Sequence, residues 1–312
     1  MQVSSSATMR GDLADVLKEQ KYGEGEFIGL YGMPVMNAGR KSGTFAKIDF
    51  VAAATESLTR APGAGYSRVR REATTDTYTC VEYGREEPID DGEAADLANY
   101  FDAEVDAAMA GQGTIMRRQE VAIAAILFDD SSVFGSYKTD GSDWSTAASG
   151  TPINDVRTAI NALKVQIDGA VGNARIVALC HDTVLDYALN CTDTANRLNY
   201  GGMGMSDRDV AKAALARAMG LNEIHATSIQ IDGSAIWATT KFGIYLVGNG
   251  RDIRSTPQVG RSVLWTEDCP ENALVETYRD ETVRSDIVRV RQHIDEKLLT
   301  ARAGHILYGL TS

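Results

Sequence analysis

What this sequence is short of narrows its function first. Its 312 residues include only 4 histidines, 4 cysteines and 6 prolines. His181, His225, His293 and His305 are far apart and never at metal-ligand spacing. Cys80, Cys180, Cys191 and Cys269 form no CxxC pair and read as four reduced thiols. There is no GxGxxG, Walker loop, HExxH, GxSxG or EF-hand loop. Nothing therefore points to a cofactor, a metal or a catalytic residue. The longest apolar run, Val121–Phe128, is far too short to span a membrane, and Met1–Gln20 has no apolar signal core. The expectation is a cytoplasmic product without an anchor. Positive charge is also scarce: 31 Lys+Arg oppose 43 Asp+Glu, a net −12. A fold that grips nucleic acid presents a basic face, so tight DNA binding is not expected.

Two local patterns look like sites and fail on physical grounds. In Cys180-His181-Asp182 the thiol and imidazole would be consecutive strand residues pointing to opposite faces, so they cannot pair. A strand end followed by a helix cap explains the triplet better. Gly201-Gly202-Met203-Gly204-Met205 precedes a helix start but lacks the lysine and spacing of a phosphate loop.

What is present describes an ordinary globular chain, 44% hydrophobic and 24% charged, long enough for two packed domains. Residues 1–45 read as an extended arm. Asp12–Gln20 makes one short amphipathic helix, and Gly23, Gly25, Gly29, Gly32, Pro34, Gly39 and Gly43 then interrupt any regular element. Ordering such an arm costs about 1–2 kcal/mol per residue, which a neighbouring molecule would have to offset. Residues 58–83 predict a hairpin, with strands Tyr66–Arg70 and Thr77–Val81 around the polar turn Glu72–Asp76. Neither strand has an apolar face. Leu97, Phe101, Val105 and Met109, then Ile115, Gln119, Ile123 and Ile126, predict a helix from Asp102 to Leu127, about 39 Å long. Gly111 and Gly113 are placed to bend or interrupt it.

Residues 151–260 alternate helix and strand. Thr151-Pro152 starts a helix whose stripe is Ile153, Val156, Ile160, Leu163 and Ile167, and Gly169 ends it. Arg175–Cys180 is a buried strand, and Asp182 or Thr183 caps the helix after it. Ser206–Asp209 opens a helix ending at Gly220. Ile229–Ile231 and Ala235–Thr239 form a hairpin, and Ile244–Val247 another strand. From Arg261 the chain is strand-rich: Ser262–Trp265, Ala273–Tyr278, Asp286–Arg291 and His305–Leu310. Val288 and Val290 alternate with Arg289 and Arg291, predicting one buried and one basic face.

Charge is unevenly spread. Residues 81–130 hold thirteen acids against Arg85, Arg117 and Arg118, leaving −10, while Arg60, Arg68, Arg70 and Arg71 cluster just before. One explanation is a solvated acidic face. The other is complementary charge between neighbouring copies, with Arg60, Arg68, Arg70 and Arg71 meeting Glu86, Glu87, Asp90, Asp91 and Glu93.

An arm, a ribbon, a long acidic helix, an α/β insert and a strand-rich return, in that order, resemble the α+β Hong Kong 97-like fold of tailed-bacteriophage major capsid proteins. The stretch Tyr78–Asp91 is similar to the family's exit from its hairpin into the spine helix. Leu264-Trp265, Val275–Glu281 and Arg284–Val290 resemble its C-terminal signature. The resemblance implies an N-arm at 1–45, an E-loop region at 46–90, a P-domain with spine helix at 91–150 returning at 261–312, and an A-domain at 151–260. It implies no enzyme and no cofactor. It implies hexamers and pentamers of the chain itself, a separate scaffolding protein, a portal, a possible decoration protein, and DNA enclosed without tight binding. The product would be assembled in the host cytoplasm and end in the virion. Some relatives link an E-loop lysine to a neighbouring asparagine; here no lysine lies between Lys47 and Lys138, so the ribbon tip is expected to lack one. An encapsulin-like compartment shares the fold, and a soluble α/β enzyme with a nonstandard site is the remaining alternative.

Overall fold

The computed structural model describes residues 8–13, 27–48, 62–63, 65, 73–92, 102–169, 171–200, 208–248, 257–269 and 273–311. In chain order these form β1 (Thr8–Met9), the short helix α1 (Gly29–Gly32), β2 (Val35–Ala38), β3 (Ser42–Ile48), β4 (Ala73–Thr79) and β5 (Val81–Asp90). The long helix α2 (Ala103–Leu127) follows, then β6 (Lys138–Asp140), α3 (Pro152–Gln166), β7 (Arg175–His181), α4 (Asp182–Asn190), α5 (Thr192–Tyr200) and α6 (Arg208–Met219). The remainder is β8 (Glu223–Thr227), β9 (Gln230–Ile231), β10 (Ser234–Ala235), β11 (Phe242–Val247), β12 (Gly260–Trp265), β13 (Leu274–Asp280), β14 (Ser285–Leu298) and β15 (Gly304–Tyr308).

Two sheets organise these elements. The five-stranded sheet runs β6-β15-β11-β7-β8. Its central strands β7 and β11 are near-continuous apolar runs because both faces are covered. The α3 stripe packs there as its spacing predicts, with Ile153, Val156, Ile160, Leu163 and Ile167 all buried. Gly169, at φ +75°, ends that helix in the left-handed conformation. The second sheet runs β1-β13-β14-β12-β2, with β5 also along β14. Ile294 pairs with Leu264 of β12 and with Val81 of β5, so β14 is flanked on both edges there. Val288 and Val290 are buried under α2, against Ala107, Ala108 and Ile115. Small residues let the helix sit close: a Cβ on Gly111 would lie 2.7 Å from Val290 Cγ2. Further along, Ile123, Ala124 and Leu127 enter the larger core, so α2 serves both. Gly111 does not interrupt it, because that residue is where the sheet presses in.

Several expectations need correction. Thr77–Thr79 pairs with β3, with Ser42 opposite Thr79 and Ile48 opposite Ala73, while the expected partner segment 66–70 lies outside the described residues. Gly43, read as a breaker, faces Tyr78, whose ring occupies the space a side chain would need (2.8 Å from Oη). The ribbon therefore begins inside the expected arm, and Lys47, opposite Thr74, places a lysine on it. Residues 27–38 are also not a loose arm: Phe27, Ile28 and Met33 are buried, and β2 pairs in parallel with β12. The cap of α4 is His181, whose Nδ1 accepts from the Thr183 N–H, because β7 runs one residue further than expected. Strand β14 is 14 residues long, continuing through polar residues because β5 pairs with it up to Ile294 and β12 from Ile294 to Leu298. Strands β15 and β6, from either side of residues 151–260, join the five-stranded sheet. Helix α5 was not anticipated. Most of the expected 12–20 helix, the Ser206-Asp207 start and the 201–205 loop lie outside the described residues.

Candidate inter-subunit surface

The acids singled out in the sequence sit on β5 and just after it. Cross-strand partners share a face, so Glu86 stands beside Arg289 of β14, which stands beside Glu276 of β13. Arg289 bonds Glu86 at 2.6 Å through Nε and lies over the Tyr278 ring. Two residues on, Arg291 bonds Glu276 at 2.9 Å and also bonds Asp268. His293 Nε2 is 2.8 Å from Asp268. The Arg291 guanidinium holds the Asp268 carboxyl below its usual range. The face expected to be basic is thus an ion-pair network, because acids of β5 and β13 flank its arginines.

Of the predicted contact residues, Arg60, Arg68, Arg70, Arg71 and Glu93 lie outside the described residues. Glu86 and Asp91 already hold arginines of their own chain: Asp91 is gripped in two-pronged fashion by Arg279 at 2.6 and 2.8 Å, which lowers its pKa. Glu87 faces Arg85 at 3.3 Å, and Asp90 accepts the Gly92 N–H. The side chains of Glu86 and Asp91 nevertheless remain 45% and 44% exposed. Glu82 is more open still, at 54%, with Arg291 and His293 both 3.8 Å away. The arginines on β13 and β14 were the part that sequence reasoning missed. The alternation of Val288 and Val290 gave the face of Arg289 and Arg291 but not their partners, of which Glu86 lies 203 residues from Arg289.

The ribbon is the second feature. Strands β3 and β4 form a sheet of two, mostly polar along β4 (Ala-Thr-Thr-Asp-Thr-Tyr-Thr), with no third strand among the described residues. Its root is tied down: the Thr79 N–H donates to Asp295 at 2.8 Å, and Cys80, fully buried, links β4 directly into β5. An isolated two-stranded ribbon is marginal in water.

All four cysteines are buried, and burial pushes the Cys80 and Cys191 thiols up to about 11 and Cys180 higher still, away from the nucleophilic thiolate. Among the described residues no group of three His, Cys, Asp or Glu is placed to hold a metal, and no helix is long and apolar enough to cross a membrane. One polar hollow lies between α4, α6 and the end of β8, lined by Asp182, Arg208, Lys212, Thr227 and Ser228. Its cations are matched within the chain, Arg208 by Asp182 and Asp186 at 3.0 Å and Lys212 by Asp209 at 3.1 Å.

No protein-family model and no curated protein sequence matches the chain. Solved structures do. A phage-related protein from Bordetella bronchiseptica superposes with a TM-score of 0.71 at 19% identity, covering 98% of both chains. The capsid of the cyanophage P-SCSP1u matches at a TM-score of 0.57 and 12% identity, over 100% of this chain and 91% of that one. A virus-like particle from Pyrococcus furiosus gives 0.54 at 14% identity, over 96% of each. At such identities the likeness is one of architecture, and it runs from end to end. The chain therefore has the α+β, Hong Kong 97-like fold of tailed-phage major capsid proteins.

Proposed function

We propose that this chain is the major capsid protein of a tailed phage, and that its copies close as hexamers and pentamers into an icosahedral shell around double-stranded DNA. The observation that carries this reading is the β3–β4 ribbon. Its β4 strand is mostly polar and no third strand joins it among the described residues, so its order would come from contact with another copy. The net −12 suits a wall along which DNA slides without adhering. In this reading the Arg60, Arg68, Arg70 and Arg71 cluster of one copy meets the Glu86–Glu93 region of the next. The chain does no catalysis, and scaffolding protein, portal and any decoration protein are separate partners.

The test is electron microscopy and sedimentation of the full chain, alone and with a scaffolding candidate, followed by analysis of the particles' contents. Shells that package DNA are the expected outcome. Particles filled with a cargo enzyme would favour the encapsulin-like compartment, and monomer that persists under every condition would overturn a shell role.

A further inference from the structure

Glu120 lies on α2 with only 2% of its surface exposed. Its carboxylate accepts from two distant parts of the chain: the backbone N–H groups of Ile28 (2.9 Å) and Gly29 (2.9 Å to Oε2), and the indole N–H of Trp237 (2.7 Å). Trp237 is itself fully buried, edge-on to Phe128. Residue 29 has to be glycine, since a Cβ would lie 2.7 Å from Glu120 Oε2. At Gly32 a Cβ would lie 2.8 Å from both Leu127 and Leu179. Residues 27–33 are thus a wedge between α2 and the five-stranded sheet, and one carboxylate bonds wedge, helix and the Trp237 segment together.

No cation among the described residues comes within ion-pair distance of this carboxylate. On α2, Arg118 pairs with Glu296 and Arg117 is exposed. On the wedge, Tyr31 stacks on His225, which bonds Glu223. Beyond Trp237, Asp232 is exposed and Lys241 holds Asp130.

We propose that Glu120 is a charge-gated lock: neutral, it holds the wedge and the Trp237 segment against the long helix, and ionised, it loosens them. A buried carboxylate without a cation is disfavoured in its charged form. Burial outweighs the three N–H donors and raises its pKa. With the wedge open, the solvated carboxyl would titrate at its ordinary value. The closed arrangement binds its proton more tightly than the open one, so raising the pH through that interval must favour opening.

Hydrogen exchange by mass spectrometry on the full chain, over roughly pH 5 to 8, tests this. Protection of residues 27–33 is corrected for intrinsic rates and referred to strand β7. In the wild type it should fall by up to about tenfold per pH unit within the titrating interval. Glu120→Gln should hold protection constant with pH. Trp237→Phe removes one donor that favours the ionised form, so the midpoint should move to higher pH. A flat wild-type profile, a slope that survives in Glu120→Gln, or a midpoint unmoved by Trp237→Phe would each overturn the lock.

Discussion

His305 lies on β15 of the five-stranded sheet, buried, with both ring nitrogens engaged, Nε2 with Thr139 Oγ1 and Nδ1 with the Gln166 amide, each at 2.8 Å. Both contacts suit a neutral ring, and burial disfavours its charged form. Burial pushes its pKa down to about 4. The unfolded chain therefore takes up a proton between about pH 6.5 and 4 that the folded chain refuses, and this residue's contribution is lost as pH falls through that window. The loss is bounded at about 1.4 kcal/mol per pH unit. Melting curves at neutral and mildly acid pH should show the decline, and His305→Asn should flatten that part of the slope whatever its effect at neutral pH. An unchanged slope would mean that other groups govern acid sensitivity. Single residues of this kind were the least legible in the sequence. Glu120 appeared only as one of thirteen acids, and His305 only as a scattered histidine on a strand, because a buried polar group is defined by partners about ninety or more positions away.

Elements were more legible where one periodicity acts alone. The α3 stripe needed only its own 3.6-residue spacing, and each predicted position is buried. The ribbon needed a pairing decision, and β3 was passed over because Gly43 reads as a break, although Tyr78 fills the space beside it. Two substitutions probe these elements. Gly111→Ala should gain about 1 kcal/mol of helix propensity. It should lose about 1–3 kcal/mol to overpacking against Val290. The net expectation is a less stable subunit by denaturant titration; a gain would mean that α2 can lift from the sheet at little cost. Thr77→Pro breaks the ribbon opposite Thr44, where nothing apolar is buried. It should leave the subunit's stability within about 0.5 kcal/mol while shell yield falls. Normal shells from this variant would show that the ribbon is dispensable.

At the scale of the molecule, acidity and fold make one further expectation. The isolated subunit should bind duplex DNA no more tightly than about micromolar at physiological salt. Sub-micromolar, salt-sensitive binding in a filter or anisotropy assay would contradict a shell wall that only encloses. The order of the two sheets has a consequence of a different kind, in time. Strand β15 (Gly304–Tyr308) lies between β6 and β11, yet β7, on the other side of β11, ends at His181, about 120 residues earlier. At a synthesis rate of about 5–20 residues per second, β7 waits roughly 6–25 seconds on the ribosome for a strand its sheet cannot close without. Strands β1, β2 and β5 wait likewise for β12–β14, hundreds of residues downstream. A chain whose translation stops early therefore has neither core complete. In the shell reading proposed above, a truncated copy would present no finished surface to its neighbours.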